Sequence, residues 1–223
     1  MQNIRVRFEK RGRAVYISHL DLMRAMSRAV RRAQLPLWYT EGFRPHPYLF
    51  FPLPLPLGQE SCCEALELRL ERPMPPEELL RRLTAVLPED LKVTAAAEPW
   101  SGAGEIHAAQ YEMKLRFADE AAAGDWSKSA ASLLEAGKLT AKKTGKQGRR
   151  RIEKEIALAP LIFHWALSSE GASVLLKAAL AAGSTQNLNP ALLLEALFDH
   201  AGEPLSFSIL RTALLRADGT AWE

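Results

Sequence analysis

Cysteine is almost missing from this chain: among 223 residues only Cys62 and Cys63 carry thiols, and they are neighbours. On a strand, adjacent side chains point to opposite faces, so this pair suits neither a structural disulfide nor a metal centre. Zinc and iron–sulfur sites need several spaced thiolates or imidazoles, and the five histidines are scattered. A glycine-rich phosphate loop of the P-loop or dinucleotide kind is also lacking. No cofactor or metal is therefore expected in this chain. No apolar run approaches the ~20 residues of a membrane helix. The opening Met1-Gln2-Asn3-Ile4-Arg5-Val6-Arg7-Phe8 alternates as a strand does and has no apolar signal block, which predicts a cytoplasmic protein without membrane attachment.

What is present is an ordinary globular balance. Hydrophobic residues make up 48% and charged residues 25%, enough to bury a core. The net charge of +3 hides a strong asymmetry. Between Lys138 and Lys154 eight basic residues face the single Glu153, a local charge of +7 that leaves −4 for the remainder. Such a local excess on a near-neutral body is what an anionic partner requires.

The hydrophobic pattern reads as two successive β-α-β-β-α-β outlines. In the first, residues 4–8 alternate, and Ser18 caps a helix over 19–33, with Asp21 completing a capping-box-like pair. Leu22, Met23, Met26, Ala29, Val30 and Ala33 share one face of that helix. Strands follow over 35–39, 48–57 and 63–70, then a helix after Pro75-Pro76 and a strand over 91–95. In the second outline a strand over 111–117 precedes a helix capped by Asp125. Two hairpin arms over 139–143 and 152–156 flank the basic turn. Strands over 163–167 and 173–180 come next, then a helix capped by Asn189 with Pro190 at its first position, and a strand over 207–215. The fold class expected is α+β: two tandem ferredoxin-like (βαββαβ) domains, 1–105 and 106–223, the second with an added basic β-hairpin at 138–156. The boundary falls in Trp100-Ser101-Gly102-Ala103-Gly104-Glu105.

Several segments carry possible chemistry. Arg24, Arg28 and Arg31, with Arg32, lie opposite the apolar stripe of the first helix, in a line that can track phosphates or simply solvate the helix. In Gly42-Phe43-Arg44-Pro45-His46-Pro47, two prolines hold His46 in extended backbone and Gly42 is suited to a positive φ. His46 beside Arg44 suits acid–base work, phosphate binding, or a structural corner in which the imidazole caps a carbonyl. His19 is a second catalytic candidate, although helix capping accounts for Ser18 and Asp21. Prolines 52, 54 and 56 remove every N–H from one edge, so that segment reads as an edge strand or a polyproline-like wrap. The strongest partner signal is the turn from Lys142 to Arg151. Its six basic residues, Lys142, Lys143, Lys146, Arg149, Arg150 and Arg151, accompany two glycines and suit phosphate contact.

Three motifs occur in order: Tyr16-Ile17-Ser18-His19-Leu20-Asp21-Leu22-Met23-Arg24, then Gly42 to Pro47, then Pro54-Leu55-Pro56-Leu57-Gly58. In this combination the chain resembles the radical SAM-linked protein family. The resemblance implies a companion of a separately encoded radical SAM enzyme, and this chain has no three-cysteine cluster motif of its own. The expectation that follows is an RNA-binding companion presenting structured RNA, tRNA or rRNA, to that enzyme. Arg24, Arg28, Arg31 and the basic turn would contact phosphates while Arg44 and His46 position the substrate. One alternative is a metal-independent endoribonuclease using His46 or His19, since the outline is also similar to CRISPR repeat-processing endoribonucleases. The other is a protein-interaction module docking the enzyme through Tyr39, Phe43, Phe50 and Phe51.

Overall fold

The computed structural model describes residues 1–147 and 150–223, with side chains of 143–147 and 150–154 outside the description. The chain divides into two compact units, Met1–Ile106 with Leu210–Glu223, and His107–Ile209.

Unit 1 contains strand β1 (Gln2–Lys10), helix α1 (His19–Arg32), the short β2 (Leu49–Phe50), β3 (Glu60–Leu70), helix α2 (Pro76–Thr84) and β4 (Leu91–Ala97). β1 runs antiparallel to both β3 and β4, and β2 adds to β3. Alternation in β1 sends Ile4, Val6 and Phe8 inward, all at 1% exposure or less. Val30 of α1 and Leu79 and Leu83 of α2 pack with Ile4 and Val6, and Leu22 and Met26 with Phe8.

Unit 2 contains β5 (Ala108–Arg116), α3 (Glu120–Ala136), the hairpin β6 (Thr140–Gln147) and β7 (Arg150–Ala157), β8 (Ile162–Glu170), β9 (Ser173–Ala181), α4 (Pro190–Ala201) and the start of β10 (Ser206–Leu215). Its strands follow the order β10-β5-β9-β8, and β6 and β7 form a separate two-stranded sheet. Trp126 of α3 anchors the core against Phe117 and donates from its indole nitrogen to the Gly202 carbonyl at 2.9 Å.

The mixed α+β class follows the sequence pattern, and so do the capping of α1 by Ser18 and of α4 by Asn189. Four readings need correction. The strand expected over 35–39 is reduced to two isolated bridges, Leu37 with Leu70 and Tyr39 with Pro47. Within 48–57 only Leu49 and Phe50 form a ladder, so the proline segment is no edge strand. One of its carbonyls is taken by a side chain instead: Arg211 donates to Leu53 O at 2.8 Å, and just beyond the segment Lys10 donates to Gln59 O at 3.2 Å. The cap of helix α3 lies six residues before Asp125, because the Asp119 carboxylate accepts from Ala122 N at 2.8 Å. Asp125 lies inside that helix, an exposed partner of Lys128. Finally, the sequence placed 106–223 in one domain, whereas Leu210–Glu223 belongs with unit 1. Leu210 and Arg211 pair in parallel with Glu60 and Ser61 of β3, and Trp222, fully buried, anchors the end.

Candidate nucleic-acid interface

The three motifs that carry the resemblance all lie in unit 1. Gly58 N donates to Val15 O at 3.0 Å, and His19 stands edge-on to Phe51 at 5.1 Å between ring centroids. Gly42 has φ +126°, the conformation its position demanded. Beyond it, Tyr39 bridges to Pro47, and Arg31 of α1 lies 6.0 Å from the Tyr39 ring. This contact ties the histidine-bearing loop to the arginine line.

That line is less uniform than its spacing suggested. Ser18 Oγ accepts from Asp21 N at 3.2 Å and donates to the Asp21 carboxylate at 2.7 Å. Arg24 adds a pair to the same carboxylate at 3.1 Å. The Ser18 hydroxyl first, and Arg24 with it, hold Asp21 below the usual carboxylate range. Asp21 is thus a capping group that partly neutralises Arg24. Arg32 is drawn away, donating to Val86 O at 2.6 Å. Arg28, Arg31 and Arg44 are exposed.

His46 sits at an exposed corner with a defined ring orientation. Its Nδ1 lies 3.2 Å from the Arg44 carbonyl and 3.1 Å from Thr40 Oγ1, and its backbone N donates to Thr40 Oγ1 at 3.2 Å. A carbonyl can only accept, so the contact with Arg44 O is a hydrogen bond in those forms of the ring that carry a proton on Nδ1. This is the carbonyl-capping geometry. A hydroxyl and a carbonyl orient the ring without giving it a second proton-transfer group.

His19 has a different place. It is the first residue of α1, half-buried, and its Nδ1 is buried without a hydrogen-bond partner. Burial pushes its imidazole below the usual histidine range, against the pull of the Glu64 charge. A neutral, packed imidazole is a poor phosphate ligand.

The basic hairpin carries a mixed message. Its arms pair antiparallel from Thr140–Ala157 to Gln147–Arg150. Arg149 lies outside the described residues, as do the side chains of Lys143, Lys146, Arg150 and Arg151. Lys142 is exposed. At the base, Thr140 Oγ1 donates to Glu155 at 2.6 Å. There Lys142, Glu155, Glu195, Asp199 and His200 line a cavity of about 310 Å³. The base is therefore acid-rich, which confines the sequence's basic excess to positions further along the arms.

Sequence reasoning missed the buried charges that hold unit 1 together. Arg211 and Glu64, 1% and 2% exposed, form an ion pair, and Lys10 is buried nearby. Their partners are separated by up to 158 residues, and no local pattern joins them. Among the described residues no group of three or more His, Cys, Asp or Glu is placed to hold a metal ion. Cys62 and Cys63 remain thiols, and burial pushes Cys63 up to about 11. Among the described residues, no helix is long and apolar enough to cross a membrane.

Comparison with known proteins supports family and fold. Residues 3–190 match the model of a family described as "Uncharacterized protein conserved in bacteria (DUF2344)", and the chain belongs to that family. No curated protein matches the sequence. Among solved structures, the chain is similar to one in the "Crystal Structure of a Cbf5-Nop10-Gar1 Complex", with a TM-score of 0.50 and 9% identity. The likeness covers 95% of this chain and 48% of that one, so this chain spans about half its neighbour's length. At that identity it concerns the fold alone.

Proposed function

We propose that this family member is an RNA-binding companion of a separately encoded radical SAM enzyme, presenting structured RNA, tRNA or rRNA, for modification in the cytoplasm. The observation that carries the reading is the exposed arginine surface of unit 1. Arg28, Arg31 and Arg44 are exposed, and the Arg31–Tyr39 contact links α1 to the loop that holds Arg44 and His46. Guanidinium groups in such a line suit backbone phosphates. The partner enzyme is supported by the family resemblance, whose three motifs all lie in unit 1. A finer view of the fold accompanies the reading: strand orders β4-β1-β3-β2 and β10-β5-β9-β8 support taking each unit as ferredoxin-like.

The test is RNA binding by the purified protein across a salt series, comparing wild type with Arg28→Glu/Arg31→Glu and with Arg149, Arg150 and Arg151 changed to Glu. Expected is a steep salt dependence that weakens in both variants. Absence of salt-dependent affinity for any cellular RNA would sink the proposal.

A second reading is favoured by one specific feature, the exposed apolar side chains within the three motifs. Phe43 is fully exposed, Tyr16 80%, Leu20 62% and Leu57 61%. Such residues, with arginine, are characteristic of protein interfaces. Of the aromatics that the sequence offers for docking, Tyr39 and Phe50 are exposed, but Phe51 is 7% exposed and packs on Phe8. A complex with the radical enzyme that forms without RNA and survives high salt would favour docking over RNA presentation.

A further inference from the structure

In an antiparallel sheet, alternate residues share a face. In unit 2, Met113 and Leu115 of β5, Val174 and Leu176 of β9, and Ile209 of β10 are buried in the core. The intervening positions form the opposite face, and at one end of the sheet they are open. The register sets Lys114 beside Leu175 and Arg116 beside Ser173, while β8 adds Ser168 and Glu170 against the same two β9 residues. Ser206 and Ser208 of β10 complete the surface, and all of these except half-buried Leu175 are exposed. The residues enclose a cleft of about 840 Å³, well within the size range of ligand sites.

The charges in this cleft are unbalanced. Further along the same face, Lys177 is neutralised by Glu112 at 2.8 Å. Lys114 and Arg116 have no ion-pair partner among the described residues, and Glu170 at the far strand is the carboxylate among the lining residues. Two cations on one strand face, two residues apart, sit about 7 Å from each other and repel until an anion lies between them. The surrounding serine hydroxyls are hydrogen-bond donors of the kind that contacts phosphate oxygens. The ring of Phe207, half exposed, packs on Phe198 at 5.5 Å.

We infer that an RNA strand crosses this open sheet face, its backbone phosphates held by Lys114 and Arg116 with the hydroxyls of Ser168, Ser173, Ser206 and Ser208. The inference rests on the RNA-binding reading above but assigns a contact that neither α1 nor the hairpin provides. Contacts of this kind position a strand without reading its sequence.

The test measures binding of bulk tRNA and of a mixed-sequence single-stranded RNA across a salt series, for wild type, Lys114→Gln/Arg116→Gln and Lys114→Glu/Arg116→Glu. Both positions are exposed, so circular dichroism and thermal midpoint should match wild type. Loss of two phosphate contacts is expected to reduce the slope of log K against log salt by about 1.4 and to weaken affinity about tenfold near 0.1 M salt. Charge reversal should weaken it further. Wild-type binding that persists in both variants with unchanged slope would overturn this inference and leave the RNA-binding reading standing. No binding by the wild type would overturn both.

Discussion

The two units place cations on the outward face of a sheet and treat them in opposite ways. In unit 1, Arg5 of β1 is 3% exposed: it pairs with Glu67, donates to Ser101 and the Glu223 carbonyl, and lies 4.0 Å under the ring of Trp222. Arg7 donates to the Trp222 carbonyl at 3.0 Å. In unit 2, Lys114 and Arg116 of β5 occupy comparable outward positions and stay exposed. The difference is the returning segment Leu210–Glu223, which covers the face in unit 1. Covered Arg5 satisfies all three guanidinium nitrogens within the protein, because a buried unpaired charge is costly. An uncovered one remains available to a ligand. Cationic strand positions therefore do not by themselves mark a binding surface; their coverage does.

The sharpest way to break this comparison is to uncover unit 1. Trp222→Ala removes a fully buried ring that donates to Gly102 O at 2.9 Å and covers Arg5. It should cost about 3–5 kcal/mol, measured as a drop in the denaturant midpoint. An unchanged midpoint would mean that the returning segment covers the face without holding it. Arg211→Ala, which strands Glu64 and frees the Leu53 carbonyl, should cost about 3 kcal/mol and increase proteolysis within 51–58.

A smaller effect tests the half-buried rim of the same unit. Burial lowers the folded-state affinity of His19 for protons. The unfolded state then binds more protons as pH falls, so this contribution is present above the ordinary histidine range and is lost as pH drops through it. His19→Gln should flatten the stability profile between about pH 7 and pH 5 relative to wild type. Two superimposable profiles would contradict the burial argument. The smallest effect is expected on the open face: Lys114→Gln/Arg116→Gln should change stability by less than about 0.5 kcal/mol in urea denaturation. A larger loss would mean that these side chains are structural, as their counterparts in unit 1 are.

How much could be read from residues alone varies with the range of the interaction. Ser18 and Asn189 were recognisable as caps because the cap and the N–H it accepts lie within three residues. The hairpin arms were recognisable from a glycine-marked turn between alternating segments. The Asp119 cap is not legible in the sequence because the run Glu120-Ala121-Ala122-Ala123-Gly124 has little apolar phase to show where α3 begins. At the candidate interface, Arg28 and Arg31 are exposed as their spacing implied, Arg44 is exposed too, and the His46 ring is oriented by Thr40 and the Arg44 carbonyl. The engagement of Arg24 by Asp21 and of Arg32 by Val86 changes how much of that charge is available.

Composition and pattern by themselves determined the α+β class, the succession of most elements, the capped helix starts and the concentration of charge at the hairpin. Each of these depends on residues within about one turn or one hairpin of each other. Only the tertiary structure decided which cations are spent internally and which stay open. It pins the proline segment through Arg211 and Gln59 just beyond it through Lys10, closes the outer face of unit 1 with Trp222, and leaves Lys114 and Arg116 uncovered. Solvent access and hydrogen-bond satisfaction are set by partners 49 to 158 residues away, so no local pattern in the sequence could report them.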